Sequence, residues 1–300
     1  MGSIFAAIRP ERDYPAGKAV ASVLAQNPSM NLAPQTHAKP FGDHLRHWRQ
    51  QRRLSQLDLA ADADISTRHL SFVETGRANP SREMVLRLCA RMDVPLRERN
   101  ALLLAAGYAP MYRESRLDDA AFAPARAAVD LILKSHEPYP ALAVDRHWNL
   151  LAANRMVPLL LAGVAPGLLQ PADGRLPNVL RISLHPDGLA PKILNLAQWR
   201  HHIFERLSQQ IANTGDAQLT ALLQELRAYP VAPSAGGLHL RDELLGVLMP
   251  FRVQSDAGVL NFISTTTVFG SPTDITLHEM ALESFFPADD FTRMALQQLS

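Results

Sequence analysis

One cysteine in 300 residues, Cys89, excludes an internal disulfide framework and fits a reducing cytoplasm. Its ordinary role is that of a small buried apolar side chain. No apolar run approaches the roughly 20 residues of a membrane span, and the apolar start, Met1 to Ala7, is too short and wrongly flanked for a secretory signal. Charge of one sign is also scarce: a net +1 excludes an all-basic nucleic-acid coat. Catalytic signatures are missing too, with no G-x-S-x-G around any serine, no phosphate-cradling glycine loop and no Cys-His pattern. His201 and Glu205 lie one helical turn apart, a spacing that could hold a metal, but no third ligand is adjacent. HEMALE at His278 lacks the second histidine of a zinc helix. Neither a metal nor a cofactor is therefore expected, and an enzyme fused to another domain is the least supported reading.

What is present is enough apolar material for a real core, 47% of the chain, in a length that suggests two domains plus tails. The charge is unevenly spread. From Phe41 to Arg116 thirteen arginines face nine acidic residues, leaving +4; from Leu117 to Ser300 the balance is −5. A mildly basic head on an acidic body suits a protein that touches nucleic acid with one domain only.

The head carries the sharpest pattern, SQLDLAADADISTRHLSFVETGRANPS from Ser55 to Ser81. Ser55 is an N-cap with Asp58 in the capping-box position, and Leu57, Leu59 and Ala60 give a short apolar face. Asp64 stands where the chain turns sharply, and Asp tolerates the left-handed conformation better than most non-glycine residues. Ser66 caps a second helix with Leu70 and Val73 inward and Thr67, Arg68, Ser71 and Phe72 outward, the arrangement in which a second helix enters a major groove. Phe41, Leu45 and Trp48 form one stripe of a preceding helix. Ser81 caps a fourth helix with Met84, Val85, Leu88 and Cys89, and Pro95 opens a fifth that ends at Gly107.

This block, Phe41 to about Tyr112, resembles the Xre/Cro type of repressor domain. The resemblance implies an arginine on the first helix paired with a glutamate ending the recognition helix, at Arg49 and Glu74. The family usually has glycine where Asp64 stands, so the turn is expected to be slightly strained. Thr67, Arg68, Ser71 and Phe72 would then read bases of a double-stranded operator, and Gln56, Arg77 and Asn79 would hold phosphates. With one short recognition helix and a weak basic excess, a homodimer is expected on the operator.

Around the head, residues 1–40 lack periodicity and read as a disordered leader, with Met1 and Met30 both open as the start. Residues 113–138 read as a polar connection and a helix bearing Val129, Leu131, Ile132 and Leu133. From 139 to 300 the pattern turns mixed. Pro140 to Val144 and Trp148 to Asn154 flank Asp145-Arg146-His147 as a hairpin, and Asn154 caps a helix through Leu161. Helices follow over Leu176 to Leu184, Leu189 to Ala212 and Ala217 to Ala228. Val231 to Gly237 reads as a loop, followed by extended segments Leu238 to Arg241, Leu244 to Val253 and Gly258 to Phe269. Asp274 to Phe286 continues the sheet, although Leu277, Met280, Ala281 and Phe285 also fit a helix. The fold class is an all-α five-helix DNA-binding head followed by an α+β domain with an antiparallel sheet and helices on one face.

Three stretches, AVDRHWNLLAANRM, NVLRISLHPDGLAPKILNLAQWRHHI and FISTTTVFGSP with ALESFFPAD, resemble the ligand-binding domain of MmyB-like transcription regulators, a PAS-like fold behind an Xre-type head. The resemblance implies a pocket for a fatty-acid-like small molecule. The surplus of aromatic and aliphatic residues fits a largely apolar cavity between the sheet and the helix beginning near Asn195. Trp148 and Trp199 are its expected walls, and Asn154 and Arg200 its expected polar end. A C-terminal domain that only dimerises, leaving a constitutive repressor, is the alternative.

Overall fold

The computed structural model describes residues 40–230, 249–270 and 274–299. The leader, the loop at 231–237 and the extended segment at 238–241 fall outside them, as does the first half of the segment starting at Leu244.

Five short helices build the head: α1 (Phe41–Gln51), α2 (Gln56–Asp62), α3 (Thr67–Glu74), α4 (Arg82–Arg91) and α5 (Leu96–Ala105). Their starts are set by side chains that satisfy otherwise orphaned N–H groups. Ser55 accepts from the Asp58 amide while Asp58 returns a bond to the Ser55 amide, a complete capping box; Ser66 and Ser81 accept from His69 and Met84. Asp64, between α2 and α3, has φ +52°, the left-handed turn expected of it. The core forms where the apolar stripes converge, with Leu45, Trp48, Leu59, Leu70, Val85 and Leu103 all 2% exposed or less. Gly42 permits the crossing of α1 over α3, since a Cβ there would stand 2.2 Å from the Glu74 carbonyl oxygen.

Asn100 on α5 holds the chain as it leaves the head, accepting from the amides of Met111 and Tyr112 and donating to the Tyr112 carbonyl. A further helix, α6 (Ala123–Ser135), leads into a five-stranded, wholly antiparallel open sheet. Its strands are β1 (Ala141–Val144), β2 (Leu150–Ala153), β3 (Pro250–Ser255), β4 (Gly258–Val268) and β5 (Ala281–Pro287), ordered β2-β1-β5-β4-β3. Between β2 and β3 the chain forms α7 (Val157–Leu160), α8 (Pro166–Leu169), α9 (Val179–Leu184), α10 (Leu196–Thr214) and α11 (Ala217–Ala228). After β4 come α12 (Ile275–His278) and, past β5, α13 (Asp290–Leu299).

Four details differ from the sequence reading. Helices cover both faces of the sheet, not one. Leu142, Val144 and Leu150 pack with α9–α11, while Ala141, Ala143 and Leu151 pack with Phe122, Val129 and Leu133 of the α6 region. The alternation of strand side chains makes both faces apolar at the β1–β2 end. The long helix expected from Leu189 begins instead at Leu196, because Ile193 bridges Val253 and Asn195 clasps β3, donating to the Pro250 carbonyl and accepting from the Arg252 amide. The stretch from Asp274 divides into a four-residue helix and a strand. The terminal α13 packs on β4, where Thr292 accepts from the Asn261 amide, and the sequence reading assigns no helix there.

Candidate functional site

The outward face of the head is organised from behind by a buried ion pair. Glu74, the last residue of α3, has a fully buried carboxylate that accepts from Arg49 Nε at 2.6 Å, from a second Arg49 nitrogen at 3.0 Å and from Gln56 at 2.8 Å. Arg46 adds its guanidinium at 3.6 Å. This fixes the recognition helix to α1 and α2 at once. Burial pushes the Glu74 carboxyl up, but its bonds to Arg49 and Gln56 and the nearby charges outweigh that and hold it below the ordinary glutamate range.

With α3 anchored, Thr67, Ser71 and Phe72 are half-buried on its outer side and Arg68 is exposed. The Arg68 guanidinium lies 5.3 Å over the Phe72 ring, and Arg77 approaches the same ring at 6.0 Å. An aromatic face stacked with a guanidinium restricts where that group points before DNA arrives. Arg77 and Asn79 are exposed in the loop after α3. Gln56, expected at a phosphate, spends its amide on Glu74, so its place is behind the reading face. Arg68 is the arginine of α3, and it is exposed. Arg68→Ala is therefore expected to relax operator preference, lowering discrimination at one base pair by about 1–3 kcal/mol while non-specific affinity changes little. Titration of operator and scrambled duplexes checks it, and equal losses on both would reduce Arg68 to a phosphate contact.

In the C-terminal domain a cavity of about 100 Å³ lies between the sheet and α10. Its walls include Trp148, Leu160, Leu161, Ile182, Trp199 and Phe251, and its polar groups are Ser183, His202, Arg206 and Glu283. Trp199 donates Nε1–H to Ser183 Oγ at 2.9 Å and leans on Phe251, ring centres 4.8 Å apart. Trp148 sits in the tip of the β1–β2 hairpin with φ +67°, a left-handed conformation uncommon for so bulky a residue. It is held there by Nε1–H donation to Gln210 at 3.0 Å and by the Arg206 guanidinium 4.4 Å over its ring.

The two residues expected at the polar end do not line this cavity. Asn154 is buried beside α6, bonded to four main-chain groups: its Oδ1 accepts from the amides of Ala141 and Met156, and its Nδ2 donates to the carbonyls of Leu133 and Tyr139. It closes a corner of the fold and does not face the cavity. Arg200, one residue past a cavity wall on α10, is rotated away. Its guanidinium reaches the carbonyls of Leu226 and Tyr229 at the end of α11 and stacks 5.2 Å over Phe204. A cation at a helix C-terminus is a common packing device, and burial lowers its pKa.

Arg206 and Glu283 take the polar end instead. Arg206 bonds both Glu283 oxygens, at 2.7 and 3.3 Å, and also donates to Thr266, which itself donates to Glu283 at 2.8 Å. Helical spacing is a signal that points to Arg206 but not to Glu283, which lies on β5. Trp199, Ile203 and Arg206 follow at i, i+4 and i+7, one stripe of α10, whereas Arg200 does not. His201 and Glu205 are exposed on the opposite side.

A five-helix head built around a helix-turn-helix, joined to a cavity-bearing sheet domain, is the form of a DNA-binding regulator with a sensory module. A family model for the MmyB-like transcription regulator ligand binding domain matches residues 125–299, and one for a helix-turn-helix domain matches residues 40–102. The chain belongs to the MmyB-like transcription regulators. The two matched domains are those of a transcription regulator. No curated protein matches it. Among solved structures, one described as an RNA-binding light-oxygen-voltage receptor aligns at 12% identity and a TM-score of 0.24, over 97% of this chain and 69% of that one. No helix among the described residues is long and apolar enough to cross a membrane.

Proposed function

We propose that this regulator acts in the cytoplasm as a homodimer on a double-stranded operator, and that a small, largely apolar molecule in the C-terminal cavity alters its hold on DNA. One observation carries the reading: α10 runs from the cavity to the head. At its start it supplies Trp199, Ile203 and Arg206 to the cavity. At its end the carbonyls of Ala212 and Asn213 accept from Gln51 and Arg52 of the head at 2.7 and 3.3 Å. These are last-turn carbonyls that the helix itself leaves unpaired.

A second connection runs beside the first. Gln210, which accepts from Trp148, donates to the Arg146 carbonyl at 2.8 Å. The Arg146 side chain stands 3.7 Å from Glu279, and Glu279 is gripped by Arg97 of α5 through two bonds of 2.9 Å. A ligand that moves Trp148 or α10 therefore works directly on the contacts that set the head's position. The junction carries a cost as it stands, because Gln51 Oε1 is buried there without a partner among the described residues, and an unsatisfied buried acceptor costs about 1–3 kcal/mol. A ligand shifts the arrangement only by the difference in its affinity for the two states.

The expected result is that 1-hexanol, a simple apolar probe, changes operator affinity of the full chain. Gln210→Ala, which cuts the second connection and leaves the first, should weaken that change by more than it weakens hexanol binding itself. Hexanol bound with no effect on DNA would favour a C-terminal domain used for dimerisation alone. The dimer is a separate expectation. A head with a +4 excess makes few phosphate contacts, and affinity at physiological salt scales steeply with their number. Sedimentation should show two chains per operator with half-sites about one helical turn apart; a monomer both free and on DNA would overturn it.

A further inference from the structure

Resting on the reading of the chain as a homodimer, we propose that two copies join through α6, packed antiparallel about a two-fold axis that crosses the helix near Ile132. The observation behind this is that α6 is apolar on two sides. Val129 and Leu133, with Phe122 just before the helix, are buried against β1, β2 and β5. The side turned away from the sheet carries Ala127, Ala128, Leu131 and Ile132, all exposed, with Leu131 66% and Ile132 42% open. Positions i, i+1, i+4 and i+5 share one face of a helix, so the four form a continuous stripe. Past the helix end His136 meets Phe286 edge-on, ring centres 4.7 Å apart. Phe286 stands on the same side of β5 as Leu282, by strand alternation, and is itself 42% exposed. Contiguous exposed apolar surface of this kind marks interaction sites.

What identifies the occupant as a second copy is the charge beside the stripe. Asp130 and Lys134 lie one helical turn apart on one flank, and both are exposed. Neither side chain has an ion-pair or hydrogen-bond partner among the described residues. They stand symmetrically before and after Ile132 in the chain. A two-fold axis at that point reverses the helix direction and keeps the flank, so Asp130 of each copy faces Lys134 of the other. The same patch then serves both copies, as closed two-fold assemblies require. A parallel pair would instead set Asp130 against Asp130 and Lys134 against Lys134. Ala127 and Ala128 are small, which lets the helix axes approach toward the ~8 Å end of observed spacings.

The position also suits the head. α6 lies between the segment that Asn100 holds and β1, where the sheet begins, so a contact there ties two chains at the connection between their domains. A pair of helices of 13 residues each is small beside the roughly 1,600 Å² of a standard stable interface. The free dimer is therefore expected to be weak, and to be reinforced when both heads share one duplex.

Sedimentation of the full-length chain, free and on operator duplex, tests this with charge reversals. Asp130→Lys alone, or Lys134→Asp alone, sets like charges opposite each other twice per dimer. Each should weaken self-association at least about ten-fold at low salt, ~1.4 kcal/mol, with the melting temperature unchanged because both positions are exposed. The double variant Asp130→Lys with Lys134→Asp restores opposite charges and should return to within about three-fold of the parent. An equal mixture of the two single variants should form mixed dimers in preference to either pure one. Molar salt should erase these differences, whereas Leu131→Asp should remove the free dimer at any salt. If chains pair only on DNA, the same order is read in the cooperativity of the second chain's binding. Dimers indifferent to the reversals would overturn this pairing and leave the homodimer standing. A parent chain that is monomeric both free and on its operator would remove the dimer itself, and this inference with it.

Discussion

Replacing Glu74 with alanine is expected to cost the helical head about 3–5 kcal/mol, the range for removing one partner of a buried ion pair, and to abolish operator binding. The effect is large because the carboxylate is a junction. Its side chain is fully buried and accepts from Arg49 and Gln56, which approach from α1 and α2. Its removal strands the Arg49 guanidinium, itself only 12% exposed, with the Leu54 carbonyl as its remaining partner. A small domain has only about 5–15 kcal/mol of total stability, so the loss empties much of it. Hydrogen exchange at head amides in the full chain should show lost protection in α1–α5 while the sheet keeps its own. Unchanged protection would mean that the head does not depend on this pair.

Glu74→Gln separates charge from shape. Glutamine keeps one acceptor oxygen and the side-chain volume, so the loss should be smaller than for alanine. The pH dependence then identifies the charge contribution. The folded head holds the Glu74 carboxyl below its unfolded value. The stabilisation is therefore fully present above the unfolded pKa and drains as pH falls through the lower folded one. Head stabilities of the parent and the glutamine variant should converge on acidification. A gap that stays constant into acid would show that the carboxylate's charge contributes nothing.

The head was legible because its determinants are local. Three serines at N-caps, an aspartate in a left-handed turn and stripes at helical spacing each act within a few residues, and the structure shows them, except that Leu57, expected on the apolar face of α2, is 67% exposed and leaves that face to Leu59 and Ala60. The Arg49–Glu74 pair, 25 residues apart, was reached through resemblance alone. The sheet domain was legible in part. Its strand signals at Trp148 to Asn154 and Gly258 to Phe269 stood, since β-branched and alternating runs carry their own pattern. What failed depended on contacts across the domain. The start of α10 is set by a clasp between Asn195 and β3, more than fifty residues away. The second apolar face of β1 and β2 is covered by the α6 region, a contact that no local pattern encodes. The cavity's tryptophans were found because size and hydrophobicity are visible in one residue. Of its charged groups, Arg206 shares the helical stripe of Trp199, but Glu283 joins it only through a pairing 77 residues apart that no local pattern encodes. Arg200 was the nearer choice in sequence and faces the wrong way by the arithmetic of the helix.

Asn154→Ala is expected to destabilise the C-terminal domain by about 3 kcal/mol, and to do so without touching the cavity. Its amide bonds four backbone groups that belong to four different segments: the end of α6, the turn before β1, the first residue of β1 and the entry to α7. Each buried main-chain group left unpaired costs about 1–3 kcal/mol, and water entering the gap recovers part of the total. Asn154→Asp gives a sharper test. It preserves size and the acceptor role toward Ala141 and Met156, but the two donations become a carboxylate oxygen facing the carbonyls of Leu133 and Tyr139. Burial and those carbonyls should push the new carboxyl upward in pKa, so its destabilisation should grow as pH rises through that value. Thermal melts across pH measure both variants, with hexanol titrations on whatever remains folded. A normal melting temperature combined with weakened hexanol binding would return Asn154 to the ligand site. Lost stability with binding preserved would establish it as the corner that holds the helix α6 to the sheet.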